Sequence, residues 1–287
     1  GINHWPVAMM KNTLAFALIS AALTLPVAHA APPVEMQTPT LTQDITSAGR
    51  LRLQSQRLAK LWLQAGLGIH AGAATGQLAR GVAHFEVNLA SLARYEKKEG
   101  TQQPLQRINE LWIAYRIALS LPYNESNLKT VSYLADDLTQ ASGKLTMKIE
   151  ANANTGSGRL LDLSLRQNML AQRLARLYLM AQAGDRSHGR LVDIDQTKKE
   201  FATALAELVE SRENTLASRE ALELARMQWM FFELAISEMS NKGVSRPQHV
   251  ATASERILET LDAVSAQYAS AGADARFAAA SANTRHN

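Results

Sequence analysis

The sequence contains no cysteine. No disulfide can staple it, no thiolate can act as nucleophile or zinc ligand, and no Cys-x-x-Cys-His can attach a haem. Aromatic residues are only 6% of the 287, against a hydrophobic share of 46% in which alanine and leucine dominate. A β-sandwich would need more valine, isoleucine, threonine and aromatics, so this balance points to close-packed helices. A basic patch interleaved with aromatics is also lacking, and a net charge of +4 is too mild to imply nucleic acid. The Glu-x-x-His pair of di-iron bundles does not occur, and His70, His84, His188, His249 and His286 are scattered. No serine, histidine and acid grouping suggests nucleophilic catalysis. The expectation is a protein that is not an enzyme and holds no metal or cofactor.

The most telling absence is local. From Ile45 to Phe85 there is no Asp or Glu, although Arg50, Arg52, Arg57, Lys60 and Arg80 all fall there. A second acid-free window, Leu163 to Gly184, holds Arg166, Arg173 and Arg176. Soluble helices usually mix their signs, because opposite charges four residues apart support each other. These cations must therefore find partners elsewhere. Carboxylates on other helices are one source, with Glu86, Glu110, Asp136 and Asp137 as candidates; a bound anion is the other.

What is present begins with an address. Lys11 is followed by NTLAFALISAALTLPVA and then Ala28-His29-Ala30, the charged start, apolar run and A-x-A site of a cleavable signal peptide. Residues 1–30 are read as that signal and the residues upstream of it, and the mature chain as an exported periplasmic protein. No later run is long and apolar enough to span a bilayer.

Helical patterns follow. Thr40-Leu41-Thr42-Gln43 is a capping box opening a helix to about Gln64, which Gly66, Gly68 and Gly72 break. A second helix fits Thr75 to Lys97, a third begins near Pro104 and stops at Pro122, and Asn124 caps a fourth reaching about Ala151. NANTGSG then reads as a linker. After it the pattern restarts: QRLAKLWL at Gln56–Leu63 returns as QRLARLYL at Gln172–Leu179, 116 residues on. At that offset Arg50 meets Arg166 and Phe85 meets Phe201; with one residue more, Trp112 meets Trp229. An offset kept across three helices indicates an internal duplication. The expected fold is all-α, two tandem up-down four-helix bundles over 31–153 and 154–270. Pro247 opens the last helix, and an alanine-rich tail, 271–287, should be unstructured.

On the first motif helix, Leu51, Leu58, Trp62 and Ala65 share a core stripe. Ala48, Arg52, Ser55 and Ala59 form a neighbouring one, where small residues invite close approach and hold Arg52 in a narrow contact. In the second copy that stripe is Ser164, Asn168, Ala171 and Ala175, with Asn168 in place of the central cation. An anion site, if built on this stripe, belongs to the first copy.

AGRLRLQSQRLAK, Ala48 to Lys60, resembles the motif helix of the PilJ/NarX-like family. These are the periplasmic domains of nitrate/nitrite-sensing kinases and of type IV pilus chemotaxis transducers. Gly49, Arg52, Leu53, Ser55 and Arg57 fit the family pattern, and Met169 and Arg173 of the second copy keep part of it. The resemblance implies a homodimer in which two Arg52 side chains face one small anion, nitrate or nitrite, with Gly49, Ser55 and Arg57 beside it. Arg166, Asn168 and Arg173 are the second-copy equivalents. It further implies signalling through a membrane partner, such as an inner-membrane sensor kinase or chemotaxis receptor. The alternative is a ligand-free adaptor that docks a receptor or pilus component. The two differ in what neutralises Arg52: an anion at a dimer seam, or a carboxylate of the same chain.

Overall fold

The computed structural model describes residues 40–151, 156–238 and 246–285. The signal-peptide reading and the 153/154 boundary lie outside the described residues. All regular structure among the described residues is helical: α1 (Leu41–Gly66), α2 (Ala71–Ser91), α3 (Gln102–Leu119), α4 (Glu125–Ala151), α5 (Gly156–Gln182), α6 (His188–Glu210), α7 (Leu216–Ser237) and α8 (Pro247–Thr284). None of these helices is long and apolar enough to cross a membrane.

The ends of the helices follow their local chemistry. At the start of α1 the Thr40 hydroxyl accepts from the Gln43 amide at 3.2 Å, and the Gln43 side chain accepts from the Thr40 amide at 2.8 Å. Asn124 accepts from the Asn127 amide at 2.7 Å and opens α4. Gly66 closes α1 where a Cβ would stand 2.4 Å from that of Tyr123. Helix α2 starts at Ala71, earlier than expected, because alanines 71, 73 and 74 tolerate Gly72 within the turn. It ends at Ser91, and the chain then tightens into a 3-10 turn, Ala93–Lys97, before Gly100 reverses it at φ 86°. The segment expected to fray from Ala271 continues α8 as far as Thr284, in keeping with the high helix propensity of alanine.

Helices α1, α4, α5 and α8 form an inner group, with α2 and α3 against it on the first half and α6 and α7 on the second. From Pro39 onward the chain is one compact unit. The motif helices α1 and α5 touch most extensively and run side by side in the same direction. Gly49 meets Leu165, Arg52 meets Asp162 and Gln56 meets Arg176, all at similar sequence offsets. Gly49 permits the approach: a Cβ there would lie 2.6 Å from Leu165 Cδ1. Within each half the first and fourth helices run antiparallel: Arg52 meets Gly143 while Gln56 meets Thr139, and Ser164 meets Ser265 while Gln172 meets Ser254.

The aromatic packing repeats between halves. Phe85 stacks on Trp112 with ring centroids 3.9 Å apart, and Tyr115 meets Trp112 edge-on. Phe201 lies 4.2 Å from Trp229, and Phe232 meets that ring edge-on. Position for position these are the same two contacts among three aromatics, on the two outer helices of each half.

Candidate functional site

Two cations on each of α1 and α5 are neutralised crosswise. On α1, the Arg57 guanidinium donates to both oxygens of Glu255, at 3.1 and 2.6 Å. One turn on, the fully buried Lys60 ammonium donates to Ser254 Oγ at 2.9 Å and to Glu255 Oε2 at 3.3 Å. Glu255 sits on α8, in the other half. On α5, the equivalent Arg173 and Arg176 both donate to Asp136 Oδ1, at 3.2 and 2.7 Å. Asp136 sits on α4, in the first half. Gln56 completes this second cluster: its oxygen accepts from Arg176 Nε at 2.8 Å while its amide donates to Asp136 at 3.0 Å and Thr139 at 2.9 Å. Each motif helix thus reaches past its own half to the acid on the fourth helix of the other. Charge-assisted bonds of this kind are among the stronger hydrogen bonds.

The electrostatics follow from burial. Loss of solvent, opposed by Glu255, lowers the Lys60 pKa to about 8. Burial would raise the Glu255 carboxyl, but Lys60 and Arg57 outweigh it and hold the pKa at about 2. Burial pushes Arg176 down, with Asp136 as the chief opposing influence.

Arg52 occupies the narrow place its small neighbours suggested, buried together with Ala48, Ser55 and Ala59. Opposite it, α4 carries Gly143, where a Cβ would come 3.8 Å from Arg52 Cδ. Arg52 Nη2 donates to the Asp162 carboxylate at 2.8 Å and to the Asp162 carbonyl at 3.3 Å. Its Nε is buried without a hydrogen-bond partner. Of the other residues expected beside an anion, Ser55 turns its hydroxyl back to the Leu51 carbonyl at 2.7 Å, Gly49 packs on Leu165, and Arg57 is held by Glu255. These four lie on one helix but point to different neighbours, α5 for Gly49 and Arg52 and α8 for Arg57.

In the second copy, Asn168 donates to Asp262 Oδ1 at 3.0 Å and to the Leu258 carbonyl at 3.2 Å. Arg166 pairs at the surface with Glu200 at 3.1 Å, and Arg173 joins the Asp136 cluster.

Of the acids weighed from sequence, Asp136 does neutralise motif cations, but those of α5. Asp162 and Glu255 escaped notice because they lie 110 and 198 residues from the arginines they serve. One signal could have found Glu255. Aligning α8 on α4 sets Val250 on Val131 and Glu255 on Asp136, an acid in each copy at the same helical position.

Glu150, on the last turn of α4, is the third member of the Arg52 cluster. Burial first, then the neighbouring Asp162 carboxylate, push its pKa up to about 7, with Arg52 and Arg159 pulling the other way. A folded-state pKa above that of the unfolded chain means the native state holds a proton the unfolded state has lost. Stability should therefore fall as pH rises from about 4.5 to about 7 and then level off. The loss is on the order of 1 kcal/mol once solvent screening is allowed for. Glu150→Gln should abolish that slope in urea titrations at stepped pH; an unchanged slope would assign it to another group.

No curated protein and no solved structure matches the chain. Residues 40–136, from the cap of α1 to the Asp136 that anchors the cross-paired cluster, match the family of the type IV pili methyl-accepting chemotaxis transducer N-terminal region, PilJ.

Proposed function

We propose that this chain is a periplasmic sensory module of the chemotaxis-transducer kind, in which two related halves stand side by side as two subunits would. It passes its state to a membrane partner, a chemotaxis receptor or sensor kinase. The observation that carries this reading is the crosswise pairing of α1 with Glu255 and α5 with Asp136, across two parallel helices with related sequences. Parallel helices held by buried polar clusters have discrete packings rather than a continuum. A ligand that favours one packing shifts the population toward it. The internal pair supplies the parallel seam for which the family resemblance implies a homodimer, so this reading needs only one copy of the chain.

A small oxyanion at Arg52, with Gly49, Ser55 and Arg57, is the second reading, and the unpartnered Arg52 Nε favours it. Against it stands Asp162, which already satisfies the guanidinium at 2.8 Å and would have to be displaced. A carboxylate of the same chain is the neutraliser that the ligand-free adaptor also calls for. Calorimetric titration of Ala31–Asn287 with nitrate, nitrite, sulfate and chloride, beside Arg52→Ala, decides the anion question. We expect no saturable heat from any of them; saturable nitrate or nitrite binding that vanishes in the variant would reinstate the oxyanion reading. The sensory role itself is tested in the host. Deleting the chain should alter pilus-dependent taxis, and an unaltered response to every gradient tried would leave the adaptor.

A further inference from the structure

The two halves differ most in chemistry where α1, α2 and α8 meet. There a groove of about 420 Å³ opens beside the motif helix, within the range of roughly 300–1,000 Å³ usual for small-molecule sites. Arg50 of α1, His84 and Asn88 of α2 and Asp262 of α8 line it, with Arg57 and Gln54 of α1 beside them. Leu53, Val87 and Leu258 supply its apolar lining.

The second half shows what this corner looks like when it is closed. Arg166, the counterpart of Arg50, is paired with Glu200 at 3.1 Å. At the 116-residue offset, the position of Glu200 is taken in the first half by His84. Arg50 therefore loses the acid that holds its counterpart, and no carboxylate lies within ion-pair distance of it among the described residues. The groove also gains an acid. At the 119-residue offset relating Asp136 to Glu255, the counterpart of Asp262 is Gly143. Asp262 is bonded through one oxygen to Asn168, while Arg50 and Arg57 act on it only through space. Arg57 is already committed to Glu255. A guanidinium and a carboxylate thus face one groove without closing on each other.

We propose that this groove binds a zwitterionic α-amino acid with a small or apolar side chain. The ligand carboxylate is received by Arg50 with His84 and Asn88, its ammonium by Asp262, and its side chain by the leucine and valine wall. A simple anion would meet the repulsion of Asp262, and a simple cation that of Arg50; a zwitterion satisfies both ends. Because the groove joins α2 of the first half to α8 of the second, occupancy would tie the halves together beside Arg57, which lines the groove and is held by Glu255. This rests on the sensory reading above for its purpose, but not for its chemistry.

The test is calorimetric titration of the exported chain with each standard L-amino acid singly, and with acetate and ethylamine as the separated halves of the zwitterion. We expect a neutral amino acid to bind saturably while acetate and ethylamine do not. Arg50→Gln and Asp262→Asn should each weaken binding about tenfold or more, and Arg166→Gln, the counterpart in the closed corner, should leave it unchanged. Circular dichroism of each variant checks that it remains folded. Silence from every amino acid, or binding indifferent to both variants, overturns the site. Binding that Arg166→Gln weakens as much as Arg50→Gln overturns it too. In the host, amino-acid binding without any change in taxis would sink the sensory reading and leave the site standing. Altered taxis without binding would do the reverse.

Discussion

Asp136→Ala should lower the free energy of unfolding by roughly 2–3 kcal/mol, less than the ~3–5 kcal/mol of a wholly buried pair because Asp136 is half exposed and water can partly replace it. Arg176 is 1% exposed, and Asp136 is its carboxylate. Arginine keeps its proton at any pH the fold survives, so the charge has no way to neutralise itself. The loss should therefore be the same from about pH 6 to about pH 10. Gln56 would suffer as well, since its amide donates to the same oxygen that Arg176 and Arg173 share. Urea unfolding with linear extrapolation reads the effect directly. Asp136→Asn retains an acceptor oxygen and should lose about half as much. Adding Arg176→Met to Asp136→Ala removes the stranded charge and should restore most of the stability, as replacing whole buried pairs by apolar groups often does. A loss under about 1 kcal/mol would mean that water reaches Arg176, and the cluster would then have no part in locking the halves.

The cross-pairing also bears on what such a module can transmit. Each cluster bridges the two halves, so neither half can slide along the other without breaking charge-assisted bonds to a buried cation, Lys60 or Arg176. Small displacements are resisted, and larger ones must re-form a different set of partners. Such behaviour suits a switch with two packings better than a compliant spring. A ligand in the groove at Arg50 and Asp262 would act beside the Glu255 cluster, on α1 and α8, the two helices that hold it, and on α2.

Much of this was legible in the sequence where the information is local. The capping box at Thr40, the cap at Asn124 and the proline opening of α8 depend on residues within a turn of each other, and they stand where the pattern puts them. The small stripe around Arg52 was readable for the same reason, since helical spacing decides which side chains share a face. The partner of that face was not. Asp162 reaches Arg52 only because α5 lies parallel to α1, and nothing in a single helix states which neighbour it will meet. The arginines' lack of local acids left two neutralisers open, a bound anion or carboxylates on other helices. The sequence repeat pointed to the carboxylates, because it places an acid at the same point of α4 and α8, Asp136 and Glu255. What could not be foreseen was that each acid serves the other copy's cations.

Glu255→Ala should do similar damage near neutral pH, about 3–4 kcal/mol, but with a pH dependence that Asp136→Ala lacks. The variant strands Arg57, which is partly exposed and can turn toward solvent, and Lys60, which is completely buried and cannot. Lysine has an escape that arginine does not. Its pKa is already brought down to about 8 by burial, with Glu255 as the main influence holding it up. Without Glu255 it must fall further. A base whose folded pKa lies below its unfolded value destabilises the native state most when both states are protonated. That penalty fades as pH rises through the folded value toward the unfolded one. The loss relative to the parent chain should therefore shrink as pH rises toward about 8, where the parent's own Lys60 begins to lose its proton, while the loss from Asp136→Ala stays constant. Lys60→Met in the same background should give the same reduction at neutral pH. Parallel urea titrations of the two alanine variants compare the escape with its absence. Identical pH profiles would show that Lys60 finds another acceptor when Glu255 is gone, with Ser254, at 2.9 Å, the nearest at hand.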